Sequence, residues 1–157
     1  MYKVRVSPDK QDRAYIGIQV KLPELQRSHT LASFPIGCEA SLQKREYTII
    51  GYKGKQVRDN LHSSDLINCF WQFFKKPKKG AVYNIGGGRY SNCSILEAIN
   101  EIEQISNIKV KKKIIKQNRI GDHVWYITNN KRFKKDYPMW KQKYNTKKII
   151  KELIKRL

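Results

Sequence analysis

Gly54-Lys55-Gln56-Val57-Arg58-Asp59-Asn60-Leu61-His62-Ser63-Ser64-Asp65-Leu66 is the stretch on which the reading of this chain turns. A short apolar strand, Tyr47 to Ile50, enters it through the turn-prone Gly51-Tyr52-Lys53-Gly54. A helix leaves it, opening at Ser63 or Ser64, whose side-chain oxygens can cap free amides while Asp65 sits on the positive end of the dipole. Between strand and helix lies Arg58 in a loop, flanked by Val57 and Asp59. A guanidinium held there rigidly matches two phosphate oxygens at once.

Working outward, Leu66, Ile67, Phe70, Phe73 and Phe74 follow helical spacing until Lys75-Lys76-Pro77 ends the run. Ala81 to Ile85 reads as a short strand ending in Gly86-Gly87-Gly88. Ser94 and Glu97 form a capping box for a helix with Ile95, Ile99 and Ile102 on one face. Ile108 to Ile115 alternates apolar residues with lysine, the pattern of a half-exposed strand. Val124 to Ile127 fits strand or loop, and Asn129 to Phe133 begins a short helix. Thr146 to Leu157 closes the chain as an amphipathic helix with Ile149, Ile150, Leu153, Ile154 and Leu157 inward. The pattern is mixed α/β, with no internal repeat.

Residues 1 to 41 read differently. Val4 to Val6 and Tyr15 to Val20 suit short strands, interrupted by Pro8, Pro23 and Pro35. The segment has no glycine-rich dinucleotide turn and no Tyr-x-x-x-Lys pair. Its partition from residues 42 to 157 is the expected domain boundary.

The net charge is +20, and residues 107 to 157 hold 17 Lys/Arg against 3 Asp/Glu. This balance suits a basic module for nucleic acid or another polyanion. The lysines are dispersed among Ile, Asn and Tyr, however, and surround no nucleic-acid motif, so a solvated basic surface is favoured over a nucleic-acid partner. Cys38, Cys69 and Cys93 have no paired spacing and read as reduced, cytoplasmic thiols. No apolar run reaches membrane-spanning length, and no membrane partner is expected. No His/Cys/Asp/Glu cluster has metal-ligand spacing.

The segment Gly54 to Leu66 resembles the substrate-domain signature of the NAD-dependent epimerase/dehydratase family, the extended short-chain dehydrogenases that act on sugar nucleotides. The resemblance continues through Val82 to Arg89, Ser91 to Ser94, Leu96 to Ile99, Arg119-Ile120-Gly121-Asp122-His123 and Tyr137-Pro138-Met139-Trp140, in that order. It covers residues 42 to 157 and implies the carboxyl-terminal, substrate-binding portion of an extended Rossmann-type epimerase. The dinucleotide-binding portion is missing from the match. In the family NAD is the cofactor, a glycine turn holds it, and a Tyr-x-x-x-Lys pair supplies the catalytic base. The chain is read as lacking both. NAD is therefore expected in the full-length family but not on this chain alone, and this chain alone is not expected to catalyse. A family glycine-phenylalanine-leucine-serine-tyrosine run can be encoded by the codons for Ala32 to Ser41 shifted by one nucleotide. Residues 1 to 41 are on that ground a frame-displaced segment.

The resemblance also assigns residues. Arg58 matches the arginine that binds the substrate diphosphate, and Arg119 matches a second arginine that joins it on a nucleotide-sugar, here a CDP-sugar. Taken without the resemblance, Arg58 before Asp59 is as readily a structural ion pair, with Asp59 orienting the guanidinium or capping the turn. Tyr52, Gly87, Gly88 and His123 are possible nucleotide-proximal residues. Three glycines equally serve to turn the backbone and bring chains close, and a lone histidine equally serves as a hydrogen-bonded structural residue. Trp71 on its helix suits a core or partner-facing position, and the apolar face around it makes self-association an expectation.

Overall fold

In a computed structural model, the structure describes residues 2–8, 14–20, 43–115, 117 and 122–157. The elements run β1 (Tyr2–Pro8), β2 (Ala14–Val20), β3 (Tyr47–Ile50), β4 (Val57–Asp59), α1 (Ser63–Lys75), β5 (Val82–Ile85) and β6 (Asn92–Ser94). They continue with α2 (Ile95–Ser106), β7 (Lys112–Ile115), β8 (Trp125–Tyr126), α3 (Lys131–Asp136) and α4 (Thr146–Arg156). Three small sheets result, ordered β2-β1-β5, β3-β7 and β6-β4-β8. The β1–β2 hairpin pairs antiparallel with β5, Tyr2 opposite Ile85. β3 runs parallel to β7, and β4 lies between antiparallel β6 and parallel β8.

Two apolar cores flank the β4 sheet. The first gathers Cys69 and Phe73 from α1, Tyr83 and Ile85 from β5, Phe133 from α3, and Tyr137 and Trp140 beyond it. Its rings meet edge to face: Tyr83 and Phe133 at 5.2 Å, Phe133 and Trp140 at 5.3 Å. The second joins Ile49, Ala98, Ile99, Ile102, Val110 and Ile150, which seats α2 on α4 and β3. Each fully buried side chain of this size contributes about 1.5–3 kcal/mol through removal from water.

Polar groups fix how these elements meet. Asp65 is 1% exposed, and its carboxylate accepts from the amide of Lys143 at 3.0 and 3.1 Å and from that of Tyr144 at 3.0 Å. Its backbone carbonyl accepts from Trp140 Nε1 at 2.9 Å. This aspartate, expected only to complement the α1 dipole, therefore ties α1 to the segment leading into α4. Tyr83 Oη donates to Asp136 at 2.6 Å, and Lys78 Nζ donates to the same carboxylate at 2.6 Å. Lys78 first, then Tyr83, hold Asp136 below the ordinary carboxylate range.

Several local expectations change. α1 begins at Ser63, yet its cap is His62, whose Nδ1 accepts from the Ser64 amide at 3.2 Å. The Ser94–Glu97 capping box forms as read, with Glu97 accepting from the Ser94 amide at 2.7 Å. Alternation across Ile108 to Ile115 shortens to β7, whose four residues are all exposed, because β7 is an edge strand paired only with β3. Leu157, expected inward, is 64% exposed at the end of α4. Among the described residues no helix is long and apolar enough to cross a membrane.

Candidate functional site

Gly51 to Gly54 leave β3 through successive positive φ angles of 81°, 44°, 53° and 77°. Two of these residues, Tyr52 and Lys53, are not glycine, so the turn holds backbone in a region that side chains disfavour. The geometry has a purpose: Tyr52 Oη donates to the carbonyl of Asp122 at 3.1 Å, across 70 positions of sequence. Gln56 reaches back to the Ile50 carbonyl at 3.0 Å and closes the turn.

Arg58 then emerges in strand β4 and not in a loop. Its Nη2 donates to Asp122 Oδ1 at 2.5 Å and its Nη1 to the Val57 carbonyl at 2.8 Å. The side chain is 15% exposed. Guanidinium offers five N–H donors, so two bonds orient the fork and three donors stay available. The ion pair favoured by residue statistics is real, and its partner is Asp122. Asp59 plays a different part: its Oδ2 accepts from the Gly88 amide at 2.7 Å and the Thr128 amide at 3.0 Å. Alternation along β4 explains the exchange, since Arg58 and Asp59 point to opposite faces. Arg58 is paired across the sheet with Cys93 and Tyr126. Burial pushes the Cys93 thiol up to about 12, and that of Cys69 likewise to about 12, so neither offers a thiolate nucleophile at neutral pH.

His123 stacks on Tyr126 at 6.1 Å between centroids, beside the Asp122 anchor. Tyr52, Arg58 and Asp122 thus form one cluster, with His123 and Tyr126 adjoining through chain and sheet. Arg119 lies outside the described residues. Sequence reading named Asp122 only as part of the Arg119 to His123 motif, without its role as the Arg58 anchor, and did not single out Tyr126. The signal for Asp122 was its place in Arg-Ile-Gly-Asp-His, one bend before β8; Tyr126 carried none.

The glycines after β5 are filled by the protein itself. A Cβ on Gly86 would stand 2.3 Å from Thr128 Oγ1, and one on Gly87 would stand 2.2 Å from the Asn60 carbonyl. Gly88 has φ 58° and spends its amide on Asp59. Only a three-residue 3-10 turn, Gly88–Tyr90, starts from these glycines, and no α-helix does; α2 opens later, with the Glu97 carboxylate already at its N-terminus. A pyrophosphate needs free amides and no competing anion at such a helix end. The glycine turn after β5 therefore does not fit a dinucleotide pyrophosphate. Tyr-x-x-x-Lys spacing does occur, against expectation, at Tyr137–Lys141 and Tyr144–Lys148. Tyr137 Oη, however, is committed to the Lys76 carbonyl at 2.8 Å, and Lys148 Nζ to the Lys143 carbonyl at 3.1 Å. Among the described residues no group of three potential metal ligands forms.

This mixed arrangement of α/β elements has the fold of part of a Rossmann-type protein. It superposes on dTDP-glucose 4,6-dehydratase from Bacillus anthracis in complex with NAD (TM-score 0.66, 23% identity, 80% of this chain and 38% of that one). It likewise superposes on UDP-glucuronic acid 4-epimerase from Bacillus cereus in complex with UDP-glucuronic acid and NAD (TM-score 0.67, 22% identity, 79% of this chain and 40% of that one). The sequence narrows the likeness: over 69 residues the chain is 36% identical to CDP-paratose 2-epimerase of Salmonella typhi, 43% of this chain and 20% of that enzyme. The chain thus resembles part of the NAD-dependent epimerases and dehydratases, and spans about two fifths of the length of its structural neighbours. No family model matches it.

Proposed function

We propose that this chain is the nucleotide-sugar-holding part of an NAD-dependent epimerase of the CDP-paratose 2-epimerase kind, and that it does not catalyse alone. The observation carrying the proposal is Arg58, fixed by Asp122 at 2.5 Å with three guanidinium donors still available. Preorganisation of this kind lowers the cost of immobilising the fork on a diphosphate. Tyr52 steadies Asp122 from the other side, and Arg119 would supply the second fork, since one planar group cannot satisfy both phosphates. Tyr126, His123 and the glycine turn would border the nucleotide sugar. The host compartment would be the cytoplasm, where Cys69 and Cys93 stay reduced thiols.

Calorimetric titration with a CDP-sugar tests this reading. Arg58→Lys is expected to weaken binding by about 1–3 kcal/mol, the scale of a charge-assisted hydrogen bond, because lysine keeps the charge and loses the fork. An equal loss from exposed Lys151 on α4 would instead indicate attraction to charge alone, and binding would then collapse with salt.

The proposal extends to assembly. Ile67, Trp71 and Phe74 lie on one face of α1 and are 65%, 54% and 61% exposed. Trp71 thus lies outside the core, its ring stacked on Phe74 at 5.7 Å between centroids. An uncovered apolar stripe of this kind drives association. Light scattering on the isolated chain is expected to show concentration-dependent self-association, with Trp71→Lys/Phe74→Lys shifting it toward monomer. A monodisperse wild-type monomer at all concentrations would refute this.

A further inference from the structure

We propose that the chain carries a second ligand site, on the sheet face opposite Arg58, that takes a free nucleotide through a stacked base and a paired phosphate. The site is a cleft of about 930 Å³ between the turn after β5 and the β8–α3 segment. That volume lies in the range of small-ligand pockets. Trp125 pairs with Val57 and Tyr126 with Arg58, so side-chain alternation places Trp125 on the face away from the guanidinium. The Asp59 carboxylate, turned the same way as Trp125, closes the boundary between the two sites by binding Gly88 and Thr128.

The lining has a consistent chemistry. Arg89, Lys131 and Lys134 contribute three cations, and among the described lining residues there is no aspartate or glutamate. The nearby Asp59 carboxylate is occupied by the Gly88 and Thr128 amides, so the lining cations set the attraction for an anion. Trp125 is 66% exposed and Tyr90 49% exposed, leaving two aromatic faces bare beside the cations. Bare rings next to unneutralised cations suit a base and its phosphate, because every base has a face that stacks while the phosphate takes the charge. The floor supplies a further contact. Gln142 donates through Nε2 to the Gly87 carbonyl at 3.0 Å, while its Oε1 is buried without a hydrogen-bond partner. The bond to the Gly87 carbonyl fixes this side chain beside the cleft.

This site does not depend on the Arg58 reading, and calorimetry with CMP as the probe separates them. The full chain is expected to bind CMP saturably at one site. Trp125→Ala and Arg89→Ala are each expected to raise Kd about ten-fold, the effect of losing one stacked base or one charged contact. Trp125→Phe, which keeps a ring at this exposed position, is expected to retain binding within about three-fold. Arg58→Lys is expected to leave CMP binding within about two-fold while weakening the CDP-sugar. Absence of saturable CMP binding would overturn the proposal. So would insensitivity to Trp125→Ala, a loss with Arg58→Lys instead, or affinity for oligocytidylate that grows with chain length and vanishes with salt. Loss with Arg58→Lys would place CMP on the Arg58 site and support that reading while overturning this one; the other outcomes do not bear on the CDP-sugar titration, so either site can fail alone.

Discussion

Gly87→Ala is expected to destabilise the chain by about 3 kcal/mol or more, the upper end of overpacking costs. The added methyl would lie 2.2 Å from the Asn60 carbonyl, 2.4 Å from the Ser91 carbonyl and 2.6 Å from the Asn60 amide. All three are backbone atoms, and the Asn60 amide donates to the Ser91 carbonyl at 2.8 Å, so none can yield without breaking the junction. The junction in turn sets β4 against the turn after β5. Gly80→Ala is the control: nothing lies within 4 Å of its Cβ, and only the φ of 70° opposes it. That strain costs about 1–2 kcal/mol. Urea unfolding of both variants measures the difference. Equal losses would show that the glycine turn is not the close approach described.

The second large effect concerns Asp65. Asp65→Ala is expected to cost about 2–4 kcal/mol, because the amides of Lys143 and Tyr144 would be left without the carboxylate that accepts them. The missing volume adds to the loss, since the residue is 1% exposed. Asp65→Asn keeps one acceptor oxygen and turns an NH2 toward a backbone donor, so an intermediate loss is expected. Thermal melts followed by circular dichroism order the three proteins. An alanine variant melting with the wild type would mean that α1 and the approach to α4 are held by apolar packing alone.

Periodic and capping signals carried most of the fold. β3, α1, the Ser94–Glu97 box and the inward Ile99 and Ile102 of α2 are local consequences of residue order. Long-range pairing was not legible in the same way. Nothing local to Val57-Arg58-Asp59 says that these residues join a sheet, because a three-residue strand is defined by its neighbours β6 and β8. The same holds for the aspartates. Asp59, Asp65 and Asp122 look alike in sequence, and each finds its partner 29 to 79 positions away. The helical stripe on α1 showed correctly which residues are apolar but not how they divide. Cys69 and Phe73 enter the core, whereas Ile67, Trp71 and Phe74 stay outside it. The cleft at Trp125 was invisible, since its lining converges from the turn after β5, β8, α3 and the approach to α4.

The proposed grip of Arg58 on a nucleotide sugar is tested most directly by a crystal structure of the chain with a CDP-sugar bound. A diphosphate oxygen is expected within about 2.7–2.9 Å of an Arg58 guanidinium nitrogen, the length of a charge-assisted bond. Asp122 is expected to keep its hold on Nη2 in that complex. A CDP-sugar found with its diphosphate on surface lysines, and Arg58 bound only to Asp122 and the Val57 carbonyl, would contradict the account.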